Sequence, residues 1–204
     1  GSYRNHYVAS SLQVLILPDK SSRAMKALPQ STERDLWVSW SDYHDLIEQL
    51  VLLVDQAGIQ FDHILCLARG GLRVGDVLSR VLDLPLSVLA ASSYRSAAGT
   101  EQGKLSLAPF ITGAQGPLSG NVLVVDDLVD SGVTLAEVVA ELSRAYPAVT
   151  KVCTAVIWYK AVSSFKPDFF VHFLPTNPWI HQPFEVYDHQ RPQDLALSRA
   201  KGLS

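Results

Sequence analysis

The run Val122-Leu123-Val124-Val125-Asp126-Asp127-Leu128-Val129-Asp130-Ser131-Gly132-Val133-Thr134-Leu135 constrains the fold more than any other stretch of this chain. Its first four residues are apolar and mostly β-branched, and they read as a buried strand. Two adjacent carboxylates stand where that strand leaves its sheet. Asp130 to Thr134 follow as a short loop of small hydrogen-bonding residues around a glycine, and Leu135 opens an amphipathic helix. Such a turn aims several backbone N–H groups and a helix N-terminus at one point, which makes a seat for a phosphate dianion. The carboxylates cannot hold phosphate, because like charges repel. They suit sugar hydroxyls, a divalent metal, or both. A phosphate seat with a diol-and-metal seat one turn upstream fits a ribose 5-phosphate.

The whole run resembles the PRPP signature of the type I phosphoribosyltransferases, PRPP being 5-phosphoribosyl 1-pyrophosphate. In that family a strand ends in two acids, two apolar residues follow, and an Asp-Ser/Thr-Gly-x-Thr loop grips the 5-phosphate. The plain alternative is a strand–turn–helix with two solvated acids, and the flanking strand and helix speak against it. The resemblance implies that Asp126 and Asp127 hold the ribose diol and Mg²⁺. It also implies that Ser131, Gly132, Val133 and Thr134, with Asp130, cradle the 5-phosphate, and that Asp130 is the general base at N7 of a purine.

At 204 residues and 48% hydrophobic, the chain can bury one sizeable core, so a single domain with a small appendage is expected. No apolar stretch approaches the length needed to span a bilayer. Cys66 and Cys153 lie in apolar runs and read as small buried hydrophobes in a reducing compartment, the cytoplasm. The net charge of −3 favours neither nucleic acid nor an anionic membrane as partner. A polyanionic substrate would have to be held by local dipoles and a metal ion. Gly1-Ser2 has the look of a cloning junction and the only methionine is Met25, so residues 1–25 are read as a tag or an N-terminal extension. Leu12 to Leu17 could form a strand without assigned function.

From Val38 the periodicity is legible. Ser39 with Asp42 marks a helix start, and Tyr43, Leu46, Ile47, Leu50, Val51 and Val54 make one apolar stripe that Gly58 stops. His63 to Ala68 reads as a strand, and Arg69-Gly70-Gly71 turns into a helix carrying Val74, Val77, Leu78, Val81 and Leu82. Leu86 to Ala91, Lys151 to Trp158 and Phe169 to Phe173 are further strands. Ser96 to Gly103 reads as a mobile loop, and Pro192 to Lys201 as a short helix begun by its proline. Strands alternating with helices predict an α/β fold with a mostly parallel sheet whose ligands lie beyond the strands' carboxyl ends. Ala68 to Gly71, Ser92-Ser93-Tyr94 and Asp126 to Thr134 all fall on that edge.

Further segments extend the resemblance. Ala68-Arg69-Gly70-Gly71-Leu72 resembles the pyrophosphate loop of purine phosphoribosyltransferases. It implies that Arg69 and Gly70 contact pyrophosphate and that any cis bond is Arg69–Gly70. Ser93-Tyr94 and the loop after it resemble the family's flexible catalytic loop, whose closure would keep water from a reactive sugar cation. Pro178-Trp179-Ile180-His181-Gln182-Pro183-Phe184-Glu185 resembles the Trp-Ile-x-x-Pro-aromatic-acid segment of the xanthine-guanine enzymes. There the tryptophan stacks on the purine and the next residue's backbone reads the base edge; Glu185 would assist a metal or a water. Lys160 resembles the lysine that donates to a 6-oxo group, and Arg191 resembles a pyrophosphate contact. His181 departs from the family, which has Glu there in its bacterial type. A neutral histidine donates or accepts by tautomer, so this position leaves the base preference open.

Together these residues identify the chain as resembling a purine phosphoribosyltransferase over roughly Val38 to Arg191. The implied fold has a domain at 26–204, with a parallel-sheet core at about 38–160, flanking helices, and a small C-terminal hood at about 161–204. The implied reaction converts a 6-oxopurine and PRPP to a nucleoside 5′-monophosphate and pyrophosphate with Mg²⁺, in a homo-dimer or tetramer. The alternatives are a PRPP- or nucleotide-sensing regulator on the same fold, or an enzyme for another base.

Overall fold

The computed structural model describes residues 34–93, 105–107 and 110–202. Residues 1–25, the Leu12 to Leu17 segment, Tyr94 and the Ser96 to Gly103 loop lie outside the described residues. The elements are β1 (Asp35–Trp37), α1 (Trp40–Gln56), β2 (His63–Ala68), α2 (Gly71–Val81), β3 (Leu86–Ser93), β4 (Leu105–Leu107), β5 (Thr112–Gly113) and β6 (Gly120–Val125). They continue with β7 (Leu128–Val129), α3 (Val133–Ala145), β8 (Val149–Lys160), β9 (Phe169–Leu174), β10 (Trp179–His181), α4 (Val186–His189) and α5 (Pro192–Lys201).

Helix α1 forms because both ends of its signal are satisfied. Ser39 Oγ accepts from the Asp42 N–H at 3.1 Å while the Ser39 N–H donates back to the Asp42 carboxylate at 3.4 Å. The expected stripe of Tyr43, Leu46, Ile47, Leu50, Val51 and Val54 is the buried face. Strand β2 and helix α5 coincide with the segments read from periodicity and from Pro192. Some elements differ from expectation. Strand β8 runs from Val149 to Lys160, beyond the Lys151 to Trp158 segment, because its end lies alongside β7 and β9. Val81 is exposed, because the buried face of α2 is formed by Gly71, Val74, Gly75 and Leu78.

The parallel strands lie in the order β3-β2-β6-β8-β9, with β7 continuing beside β8 after β6 and antiparallel β4 and β5 on the outer side of β3. Helices cover both faces. Leu123 and Val125 point into a core shared with α1 and α2, whereas Val122 and Val124 point into one shared with α3. A strand buried on both sides has no polar face, which is why β6 reads as an unbroken apolar run. The chain leaves β2 toward β3 and leaves β6 in the opposite direction toward β8. A crevice therefore opens between the carboxyl ends of β2 and β6, at the topological switch point where open α/β sheets bind ligands. A separate two-stranded parallel sheet pairs β1 with β10, Asp35 opposite Trp179 and Trp37 opposite His181.

Helix α2 lies close on β2 because Gly75 has no side chain: a Cβ there would sit 2.6 Å from Cβ of Cys66 and 3.2 Å from Cδ1 of Leu86. Gly75→Ala should therefore destabilise the protein by about 1–3 kcal/mol through overpacking, despite alanine's better helix propensity. Urea unfolding followed by circular dichroism measures it, and unchanged stability would contradict this packing.

Candidate functional site

The crevice is built around the end of β6. The Asp126 N–H donates to Ala155 O at 3.1 Å, and Asp127 O accepts from the N–H groups of both Ile157 and Trp158 at 3.0 Å. The backbone of the acid pair is thus locked into the sheet, so its side chains cannot swing out to solvent. Asp126 Oδ1 accepts from the Asp127 N–H at 2.9 Å. Burial and the charge of Asp127 push the Asp126 carboxyl well up; burial pushes Asp127 up, against the hydrogen bonds it accepts. Neither acid is in an ion pair among the described residues.

Two helix N-termini face this rim, and their sequences differ from that of α1. Helix α1 has its capping box, whereas α2 and α3 begin at glycines with no side-chain cap and no acid in the first turn. The Leu72 N–H donates to Arg69 O at 3.1 Å and the Val133 N–H to Ser131 Oγ at 3.4 Å, and no first-turn acid competes for the positive dipole ends, which suit an anion. At α2, Gly70 and Gly71 allow close approach: a Cβ on Gly70 would overlap the Asp127 carboxylate, and one on Gly71 would sit 2.5 Å from Val125 O. The cis peptide bond is Ala68–Arg69, one residue before the expected Arg69–Gly70 bond; Gly70 already has helical φ and ψ as the N-cap of α2. The Arg69 guanidinium is exposed and reaches Asp188 Oδ1 at 3.2 Å.

At α3 the helix begins at Val133, so Val133 and Thr134 form its first turn and not the end of a loop that stops at Leu135. Gly132, at φ +85°, makes this early start possible by turning the chain through the left-handed region. A Cβ there would also lie 2.6 Å from the Phe165 backbone nitrogen. Ser131 O accepts from both the N–H and the hydroxyl of Ser164 at 3.0 Å, so the β8–β9 connection clamps the turn.

On the other side of the crevice, Lys160 is buried at the end of β8 and its Nζ lies 3.5 Å from Oδ1 of exposed Asp130. Trp179 is 56% exposed on β10, Ile180 points into the core, and His181 stacks on Trp37 at 3.7 Å while its Nε2 meets Asp35 Oδ1 at 2.7 Å. Glu185 is pushed up by burial and then by the charge of Asp127, with His181 opposing, so it stands within the acids' field. The Arg191 side chain donates to the carbonyls of Asp188 and Gln190 at the start of α5. Ser93 ends β3 on the expected edge, paired with Leu105; Tyr94 lies outside the described residues.

Sequence reading missed four participants. They are Gln182, whose Nε2 donates to Asp127 Oδ2 at 3.3 Å, the Ser164 clamp, Asp188 opposite Arg69, and the β1 strand behind β10. Each acts across a long sequence separation and leaves no local period. The Gln182-Pro183 break after β10 is the only signal that could have drawn attention to any of them.

A hard divalent cation suits the donor set at the acid pair: two adjacent carboxylates, raised by burial and bearing no cationic partner among the described residues. Among the described residues no group of three or more His, Cys, Asp or Glu could hold a metal alone.

Comparisons with known proteins agree with this geometry. A family model described as phosphoribosyl transferase domain matches residues 39–189. The xanthine-guanine phosphoribosyltransferase of Idiomarina loihiensis is 31% identical over 160 residues, covering 78% of this chain and 91% of that protein. That of a Ruegeria species is 27% identical over 162 residues, covering 76% and 87%. Among solved structures, a purine phosphoribosyltransferase from Pyrococcus horikoshii matches with a TM-score of 0.61 at 28% identity, covering 74% of this chain and 93% of that one. The Helicobacter pylori xanthine-guanine-hypoxanthine phosphoribosyltransferase matches with a TM-score of 0.59 at 26% identity, covering 83% and 99%.

The acid pair makes a stability prediction with a definite sign. A carboxyl raised by folding stabilises the folded state only at low pH, and that contribution is lost as pH rises through its folded value. Asp126→Asn, which keeps the oxygen that accepts from Asp127, should therefore stabilise the ligand-free protein by about 1 kcal/mol at neutral pH. The gain should shrink on acidification, as the wild-type pair takes up a proton. Thermal unfolding of both proteins at pH 7.5 and pH 5 tests it; a gain that grows toward acid would overturn the electrostatic reading.

Proposed function

The chain belongs to the phosphoribosyl transferase family, and from that premise we propose that it transfers the 5-phosphoribosyl group of PRPP to N9 of a 6-oxopurine: hypoxanthine, guanine or xanthine. Pyrophosphate leaves, and the product is a nucleoside 5′-monophosphate, the chemistry of purine salvage. The observation that carries the choice of base is the Lys160–Asp130 pair. A buried ammonium, which only donates, stands 3.5 Å from a carboxylate, which when ionised only accepts. The 6-oxo group and N7 of a 6-oxopurine sit side by side and present an acceptor and, in the N7–H form, a donor. An adenine amino group would instead face the lysine donor to donor.

The remaining roles follow from charge and placement. The uncapped start of α3, with Ser131, Gly132, Val133 and Thr134, takes the 5-phosphate on backbone N–H groups. Arg69 and Gly70 meet the pyrophosphate beside the uncapped start of α2. Asp126 and Asp127 accept from the ribose hydroxyls. Mg²⁺ held by those two acids, with Glu185 a weaker contributor, would neutralise charge on the pyrophosphate and improve it as a leaving group. As the C1–oxygen bond breaks, positive charge grows on the ribose and N9 captures it from the opposite face. Asp130 receives the N7 proton and Lys160 donates to the 6-oxo group, while Trp179 offers an exposed indole face for stacking and Ile180 a backbone edge. Ser93 and Tyr94 head the segment assigned to water exclusion. Positioning and electrostatics supply most of the rate enhancement.

The working protein in this reading is a cytoplasmic homo-oligomer of two or four chains, without nucleic-acid or membrane partners. Two buried free cysteines suit a reducing compartment, and no described helix is long and apolar enough to cross a membrane. The domain spans 26–204, its core at about 38–160 and its hood at about 161–204, the latter supported by the separate β1–β10 sheet.

Initial rates with a panel of bases test the assignment. Hypoxanthine, guanine or xanthine should turn over, and adenine should not. Asp130→Asn should lower kcat by about 10²–10⁴-fold, as expected for a lost general base. Lys160→Met should lower kcat/KM for 6-oxopurines and relax the discrimination against adenine. A wild-type protein that binds PRPP but makes nucleotide from no base would establish a PRPP-sensing regulator instead; turnover of adenine or a pyrimidine alone would establish another base specificity.

A further inference from the structure

Gln182 follows β10 and belongs to neither the acid pair nor the two anion seats. It is 4% exposed, its Nε2 donates to Asp127 Oδ2 at 3.3 Å, and its Oε1 is buried with no partner among the described residues. A buried amide with one end unsatisfied carries a desolvation cost. Tyr43 on α1 is its counterpart. Its hydroxyl is buried without a partner among the described residues, and the charges of Asp127 and Asp126 add to the burial that raises its pKa. The Tyr43 ring meets Phe184 edge-on at 5.5 Å, which ties α1 to the segment carrying Gln182. The acid pair therefore has a neutral polar lining drawn from distant parts of the chain, and Gln182 bonds to it directly.

The chemistry of that contact is specific. The Asp127 carboxylate lies against Gly70, whose missing Cβ leaves room for it, and its Oδ2 is held by the Gln182 amide. Lysine or arginine at position 182 would cancel the charge that a sugar diol or cation must meet. An amide fixes the direction of the carboxylate and leaves its charge intact. We propose that Gln182 is a positioning residue, orienting the Asp127 carboxylate toward the ribosyl substrate and its metal. This inference rests on the reading of Asp127 as a substrate-holding acid, and it adds a residue that acts only through Asp127.

The test is calorimetric binding of PRPP with Mg²⁺ to the full chain, for wild type, Gln182→Met, Asp127→Asn and the double variant, together with the KM for the base. Gln182→Met should weaken PRPP binding roughly 10–100-fold, the loss typical when the hydrogen-bond partner of a ligating carboxylate is removed. The KM for the base should stay unchanged, a split that a general structural defect would not produce. In the Asp127→Asn background the same change should cost nothing further. Wild-type affinity in Gln182→Met, or a loss that adds in full to that of Asp127→Asn, overturns the proposal. If Gln182→Met does not fold by circular dichroism, Gln182→Glu replaces it: a carboxylate facing Asp127 should weaken binding at neutral pH, and undiminished affinity overturns the proposal. A wild-type protein that binds no PRPP overturns the function proposed above and this inference with it. Wild-type binding with an indifferent Gln182 variant overturns this inference alone.

Discussion

Asp126 and Asp127 are fixed by their backbone before their side chains meet any ligand. Three N–H···O bonds, one from Asp126 to Ala155 and two onto Asp127 from Ile157 and Trp158, hold them in the middle of a parallel sheet. A pair on a surface loop would relieve its mutual repulsion by turning into water. Here the desolvation persists and pushes both acids up, with the charge of Asp127 adding to it at Asp126. What tolerates this is the sheet itself, buried on both faces. Val122 and Val124 pack under α3 and Leu123 and Val125 under α1 and α2, each fully buried side chain contributing about 1.5–3 kcal/mol. Stability generated along the strand supports an unfavourable arrangement at its tip, as is usual where a site must meet a polar ligand.

The same economy governs the handling of negative charge. A net charge of −3 provides no basic surface for a substrate with three phosphates. The fold uses helix ends instead, and it does so selectively. Where a helix starts away from the crevice, at Ser39, a capping box satisfies its first N–H groups; where helices start on the crevice, at Gly70 and Gly132, the cap residue has no side chain and no acid stands in the first turn. Glycine serves each place differently. Gly70 and Gly71 let the α2 terminus approach the acid pair, and Gly132 turns the chain so that Val133 and Thr134 already belong to α3. The start of α2 and the acid pair can be close only because Gly70 and Gly71 carry no side chains.

This division explains what was legible in the sequence. Helix α1, strand β2, strand β6 and helix α5 announce themselves by period, cap and proline, because local chemistry decides them. The start of α3 was read two residues late, since the usual marker, a side-chain cap, is the feature missing there. Val81 shares the apolar period of α2 yet is exposed, because α2 packs through Gly71 and Gly75, whose contribution is an absence of side chain. Gln182, Ser164 and Asp188 carry no periodic signal, because each bonds a residue more than thirty positions away. The motif residues named the chemistry; the residues that orient them were fixed only by tertiary contact.

The segment around β10 shows the same limit more sharply. Strand β10, carrying Trp179 and His181, does not join the main sheet but pairs with β1, whose residues Asp35 to Trp37 precede the span matched by the family model. Trp37 covers one face of the His181 ring and Asp35 takes its Nε2. An ionised carboxylate can only accept, so His181 meets Asp35 through an Nε2–H donor. His181 is thus oriented by residues that precede the span matched by the family model. The acid pair and the start of α3 lie in one contiguous run of sequence, while β10 depends on a strand recruited from far upstream.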